Sequence, residues 1–205
     1  MRRLIALLAL AMAAAGANAQ TAQSAAATRR MVLVRIETTF GTIEAELDSA
    51  HAPITVTNFL HYVDAHLFDN SEFFRAVTLG NQEGNPVKIE VIQSRRSEAA
   101  GPSDSPITLE RTSVTRITHI DGTLSMARSA SPNSGSDQFF IGIGSQPELD
   151  FGGKRNPDGQ GFAAFGQVTK GMDIVKKIQS GPLQTGNPQW LVTPVTIKRV
   201  VRVFP

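Results

Sequence analysis

An arginine, two glutamines and a phenylalanine are the side chains whose spacing first suggests chemistry. Gln138 and Phe140 stand two residues apart in the run Gln138–Ile143. In a strand they share one face, while Phe139, Ile141 and Ile143 take the other. The second face reads as core; the first sets an amide beside an aromatic ring, which packing alone does not require. The alternating run Val87–Gln93 puts Val87, Ile89, Val91 and Gln93 on one face, with Lys88, Glu90 and Ile92 opposite. Arg75 ends Phe73-Phe74-Arg75 within a third strand-like run. These groups comprise a planar, permanently charged donor, amides that both donate and accept, and apolar rings.

Several other chemistries lack their residues. The nucleophile elbow G-x-S-x-G and the phosphate loop G-x-x-x-x-G-K-[ST] are absent. Gly142-Ile143-Gly144 starts a dinucleotide-like pattern but lacks its third glycine and following helix. With 0 cysteines, disulfides, thiol nucleophiles and thiolate metal sites are excluded. His51, His61, His66 and His119 form no i,i+4 pair and stand near no carboxylate motif, so no metal is expected. Asn156-Pro157-Asp158-Gly159 reads as a turn, because a calcium loop needs alternating acidic ligands.

The chain begins with features of export. Arg2 and Arg3 precede the apolar run Leu4–Ala15, and Ala17-Asn18-Ala19 has the small-x-small pattern of a cleavage site. Residues 1–19 are therefore expected to be a signal peptide cut before Gln20, leading to the periplasm with no membrane insertion afterwards. Residues 20–30 lack apolar periodicity and read as a disordered linker. Without Arg2 and Arg3 the chain carries 18 Lys+Arg against 18 Asp+Glu. Such neutrality gives no electrostatic reason to expect nucleic acid as a partner. The pairs Arg95-Arg96 and Lys176-Lys177 read as solvated surface.

Residues 31–205 must position the groups named above. VLVRIET and TIEAELD alternate around a Phe40-Gly41 turn and predict a hairpin with one wet side. Ala52–Asp64 changes to helical spacing, with Pro53 in the first turn and Val56, Phe59, Leu60 and Val63 on one face. Strand character returns in Phe68–Val77, Val87–Gln93, Thr123–Ala127, Gln138–Ile143, Phe162–Val168 and Val195–Val203. Met172, Val175 and Ile178 mark a second short helix, stopped by Gly181-Pro182. Many short strands with two helices predict a mainly β domain, an antiparallel barrel or sandwich.

Six segments taken together resemble the cyclophilin-type peptidyl-prolyl cis–trans isomerases. They are Phe73-Phe74-Arg75, Val91-Ile92-Gln93, Leu124–Arg128, Ser136–Ile141, Glu148-Leu149-Asp150 and Phe162–Gly166. Their order and approximate spacing agree, over nearly all the chain after residue 30. The resemblance implies an eight-stranded antiparallel β-barrel capped by two α-helices, and rotation of X–Pro bonds without cofactor or metal. It implies Arg75 as the catalytic group, with Gln93 and Gln138 holding the substrate backbone. Val91, Phe140 and Leu149 would line a proline pocket, with Phe162 at its rim. Phe73, packed beneath Arg75, would count among the substrate-binding residues, and Ala127 and Arg128 would contact residues preceding proline.

The sequence also departs from that family's pattern. Phe74 stands where histidine is frequent, Leu79–Val87 reads as an insertion, and Gln82 is a second candidate for the amide role of Gln93. Gln93-Ser94-Arg95 replaces Gln-Gly-Gly, and serine and arginine resist some backbone shapes open to glycine. Glu148 replaces an aromatic residue, so weak cyclosporin binding is expected. The expected partners are proline-containing polypeptides met by a monomer. The alternative is a non-catalytic proline-peptide binding module or holdase on the same fold.

Overall fold

The computed structural model describes residues 31–204. Val32–Pro205 is one compact unit; the expected signal peptide and linker lie outside the described residues. Eight strands form a closed antiparallel barrel: β1 (Met31–Thr38), β2 (Thr42–Asp48), β3 (Ser71–Val77), β4 (Val91–Arg95), β5 (Thr123–Met126), β6 (Phe139–Gly142), β7 (Ala163–Lys170) and β8 (Trp190–Arg202). Their order around the barrel is β1-β2-β7-β5-β6-β4-β3-β8. Closure leaves no unpaired sheet edge.

The alternation in β1 and β2 does what its period demands. Val34, Ile36, Ile43, Ala45 and Leu47 are buried, while the residues between them reach solvent. Helix α1 (Pro53–Asp64) carries Pro53 at its start and packs against β2, β7 and β8. Its Phe59 inserts among Phe68, Phe139 and Phe165, with ring centroids 5.1–5.3 Å apart. Helix α2 (Met172–Gln179) buries Val175 and Ile178 and packs against β2, β3 and β4. The tilted and edge-on ring geometry adds a little to the larger stabilisation from burial.

Two irregularities shape the functional face. Phe73 pairs with Ser94 and Arg75 with Gln93, so β3 bulges at Phe74. A bulge adds one residue and shifts the side-chain alternation. Phe73 therefore lies in the barrel core, with no accessible surface, while the half-buried Arg75 turns outward. The second irregularity is in β8, where Val195 pairs with Phe73 and Trp190 with Arg75. The final strand thus begins five residues before the expected Val195. Pro194 lies within this shift; proline cannot donate to a ladder and is confined to such interruptions.

The expected strand over Val87–Gln93 is also revised, since β4 starts only at Val91 and continues to Arg95. Ahead of it, a side chain rather than a strand occupies the backbone. Ile89 donates to Gln82 Oε1 (3.2 Å), and Gln82 Nε2 donates to the Ile89 carbonyl (2.8 Å). The alternation itself was correct: Ile89, Val91 and Gln93 line one groove, and Ile92 faces the core.

Phe139 also packs edge-on against Phe68 and Phe73. Phe139→Ala should destabilise the domain by about 3–5 kcal/mol through lost burial and a residual cavity. Equilibrium denaturation checks this, and a loss under about 1 kcal/mol would contradict the core assignment.

Candidate functional site

A cavity of about 220 Å³ opens between β3, β4, β6 and the loops after β6. Val91, Phe140 and Leu149 cluster with Val77 and Ile89 as its apolar wall, joined by Ala127 and Phe162. The Phe162 ring meets Phe140 edge-on at 5.4 Å. Next to it lies a polar cavity of about 410 Å³, lined by Ser103, Ser136, Asp137 and Gln138. Gln93, Ala127 and Arg128 line both cavities, which therefore form one continuous groove.

Arg75 projects into the apolar cavity on a network of amides. Its Nη1 donates to Gln93 Oε1 (2.7 Å), and its Nε donates to Gln189 Oε1 (3.0 Å). Gln93 Nε2 in turn donates to Gln138 Oε1 (3.0 Å). Gln189 is tied back through Nε2 to the Asn81 carbonyl (3.2 Å). No carboxylate pairs with Arg75 among the described residues. Burial, and then the charge of nearby Arg155, hold the Arg75 pKa below the usual arginine value. A guanidinium still keeps its proton at neutral pH. The result is a fixed, charged donor whose field no counter-ion quenches.

The aromatic wall has its own support. His119, with its side chain fully buried, stacks on Phe140 at 6.0 Å and 13°. Its Nδ1 lies 2.7 Å from Asp150 Oδ1 and its Nε2 lies 2.9 Å from Ser125 Oγ. The atoms repeat an Asp–His–Ser relay, but Ser125 has no accessible surface. The trio ties β5 to the segment bearing Leu149 and so positions the pocket.

Val91, Gln93, Ala127, Gln138, Phe140, Leu149 and Phe162 line this groove with Arg75, whereas two other expected site residues sit differently. Phe73 has no accessible surface and cannot touch a peptide; it supports the core below the bulge. Arg128 lines the groove, but its guanidinium is committed elsewhere. It donates from Nε to the Gly161 carbonyl and from Nη2 to Asp158, both 2.8 Å, and lies 5.2 Å from the Phe162 ring centre. It clamps the loop that carries Phe162. Its side chain is only 1% exposed, so what it presents to the groove is backbone.

Three departures in the sequence also find their structural roles. Gln82 is buried, bonding the Thr78 and Ile89 backbone, and lies outside the groove. Gln93 alone therefore joins Arg75 to Gln138. Ser94 needs no positive φ: its Oγ donates to the Phe139 carbonyl and accepts from the Phe139 amide, at 3.0 and 3.1 Å. Arg95 keeps an ordinary strand conformation, stacking 4.8 Å over Phe74 and bonding Glu72. Arg96, expected on the solvated surface, is instead a buried ion pair with Asp137 (2.9 Å) beneath the polar cavity.

Ile89, Gln189, Arg155 and Asn156 also belong to the site or its support. Ile89 was readable from its alternation with Val91. The others sit in Gly-, Pro- and Asn-containing loops, where no period announces them.

The family model for cyclophilin type peptidyl-prolyl cis-trans isomerase/CLD matches residues 33–202. A peptidyl-prolyl cis-trans isomerase of Acinetobacter baylyi is 33% identical over 153 residues, covering 75% of this chain and 74% of the relative. Peptidyl-prolyl cis-trans isomerase A of Dickeya dadantii is 32% identical over 154 residues, covering 75% and 73%. A crystal structure of a Cryptosporidium parvum cyclophilin type peptidyl-prolyl cis-trans isomerase has the same fold, with a TM-score of 0.66 and 22% identity; it covers 85% of this chain and 99% of that one. The chain belongs to the cyclophilin-type peptidyl-prolyl cis–trans isomerases.

If Gln93 couples Arg75 to the groove, Gln93→Ala should lower kcat/KM on a proline peptide by about tenfold or more. Most of the loss should fall in kcat. Unchanged kinetics would exclude that coupling.

Proposed function

We propose that this protein accelerates cis–trans rotation of X–Pro bonds in exported polypeptides as they fold in the periplasm, acting as a monomer. One observation carries the catalytic part: Arg75 is held by amide oxygens at the edge of an apolar cavity. Rotation of a peptide bond is resisted by about 18–20 kcal/mol, because nitrogen shares its lone pair with the carbonyl. Twisting the bond localises that pair on the proline nitrogen. A donor aimed there stabilises the twisted state more than either planar state, which is the requirement for catalysis. The apolar wall would hold the ring. Gln138, whose Nε2 has no partner among the described residues, is free to donate to a peptide carbonyl.

The same atoms need no covalent intermediate, and nothing in this cycle requires a metal or cofactor. Uncatalysed rotation takes tens of seconds or longer, enough to limit folding. Ser94, Arg95 and the insertion motivated the alternative of a passive binding module. Each is accommodated without displacing Arg75, Gln93 or Phe140, which favours catalysis. Glu148, its Oε2 engaged by the Lys154 amide at 2.8 Å, offers no aromatic surface, so weak cyclosporin inhibition is expected.

Purified protein should broaden and merge the cis and trans NMR signals of an Ala-Pro test peptide. Arg75→Ala should slow that exchange by about a hundredfold or more while still binding the peptide. Binding with no exchange in the unaltered protein would leave the module as the better reading. For export, N-terminal sequencing of the protein from cell fractions should find a periplasmic form beginning at Gln20; an intact Met1 in the cytoplasm would refute it.

A further inference from the structure

The apolar cavity contains a second cation that the isomerisation cycle does not use. Arg155, half-buried on the loop after Leu149, lines the same wall as Arg75, Ile89 and Val91. Its Nη1 donates to Gln82 Oε1 (2.8 Å) and the Val87 carbonyl (2.6 Å), which fixes the side chain against the insertion. Its Nη2 and Nε make no hydrogen bond among the described residues. No carboxylate among the described residues lies in salt-bridge contact with it. The acid on its own loop, Glu148, instead accepts the Lys154 amide. Arg128, by contrast, is neutralised by Asp158.

Of the three arginines that line this cavity, Arg75 and Arg155 thus have no counter-charge among the described residues. Burial lowers the pKa of both groups, and the charge of Arg155 adds to the lowering at Arg75. A half-buried cation with free donors gains from an anion placed beside it in the same partly desolvated cavity. Position selects where that anion would sit. Arg155, Ile89 and Leu149 line the apolar cavity but not the polar one. A peptide whose residues before proline occupy the polar cavity passes this end as it leaves the ring.

We propose that Arg155 is a specificity residue that recruits substrates with an acidic side chain directly after proline, its free Nη2 and Nε bonding the carboxylate. This deepens, and rests on, the isomerase reading of the same groove. A charge-assisted, partly desolvated pair of this kind should favour the acidic residue about tenfold over its amide counterpart.

The test uses end-blocked peptides differing only after proline (Glu, Gln or Lys), plus one ending at proline with a free carboxylate. Kd and cis–trans exchange rate are measured by NMR at low salt for the unaltered protein, Arg155→Gln and Arg155→Lys. The Glu peptide should bind about tenfold more tightly than the Gln peptide, and the Lys peptide more weakly than both. Arg155→Gln should reduce the Glu/Gln ratio to under about twofold, and Arg155→Lys should retain most of it. Equal Kd values for Glu and Gln would overturn the proposal, whatever the exchange rates. So would a preference that survives Arg155→Gln, or one confined to the peptide ending at proline. A Glu preference without accelerated exchange of any peptide would support the acidic subsite and refute the isomerase reading. Accelerated exchange without preference would do the reverse.

Discussion

A guanidinium needs partners to hold it still, and the choice of partner decides how much of its charge remains available. A carboxylate would fix Arg75 firmly but cancel its field. Here amide oxygens do the fixing: Gln93 at 2.7 Å and Gln189 at 3.0 Å. Amides orient the group and leave it a net cation, at the cost of partial burial without a counter-ion. Because Gln93 also holds Gln138, the groups facing the peptide bond move as one unit. Electrostatic preorganisation of this kind works only if its members cannot drift.

The rest of the barrel supplies that rigidity. The bulge at Phe74 lets neighbouring residues of β3 serve opposite ends of the design, with Phe73 in the core and Arg75 in the groove. β6 does the same by simple alternation, Phe139 packing inward and Phe140 forming the pocket wall. Behind that wall, His119 stacks on Phe140 while bound to Asp150 and Ser125. The insertion after β3 belongs to the same support. Asn81 bonds the backbone of Ala76 and Pro188 and receives Gln189, while Gln82 receives Arg155. What reads in sequence as added loop is thus a bracket around Arg75.

The parts of this arrangement that follow a period were legible in the sequence. Alternation gave the faces of β1, β2 and β6, and helical spacing gave Phe59 its inward role. The groove residues Gln93, Gln138 and Phe140 stood out because strand spacing paired amides with apolar groups. Three features escaped for physical reasons. A bulge changes alternation by one residue without changing composition, so Phe73 could not be separated from the groove. Pro194 concealed the first part of β8, and with it the position of Gln189. Arg155 lies among glycines and a proline, where side-chain direction is set by loop contacts distant in sequence. Arg96 escaped for a related reason, since its partner Asp137 lies 41 residues away.

The claim that most needs testing is that Arg75 acts as a held but uncompensated charge. Gln189→Glu probes it directly, because glutamate preserves size and the acceptor oxygen while adding the counter-ion that the native network lacks. The measurement is kcat for a proline peptide at neutral pH, with peptide Kd as control. A fall in kcat of about tenfold or more with Kd changed less than about threefold is expected. An unchanged or higher kcat would mean that the charge of Arg75 need not remain free, contradicting the mechanism at its centre.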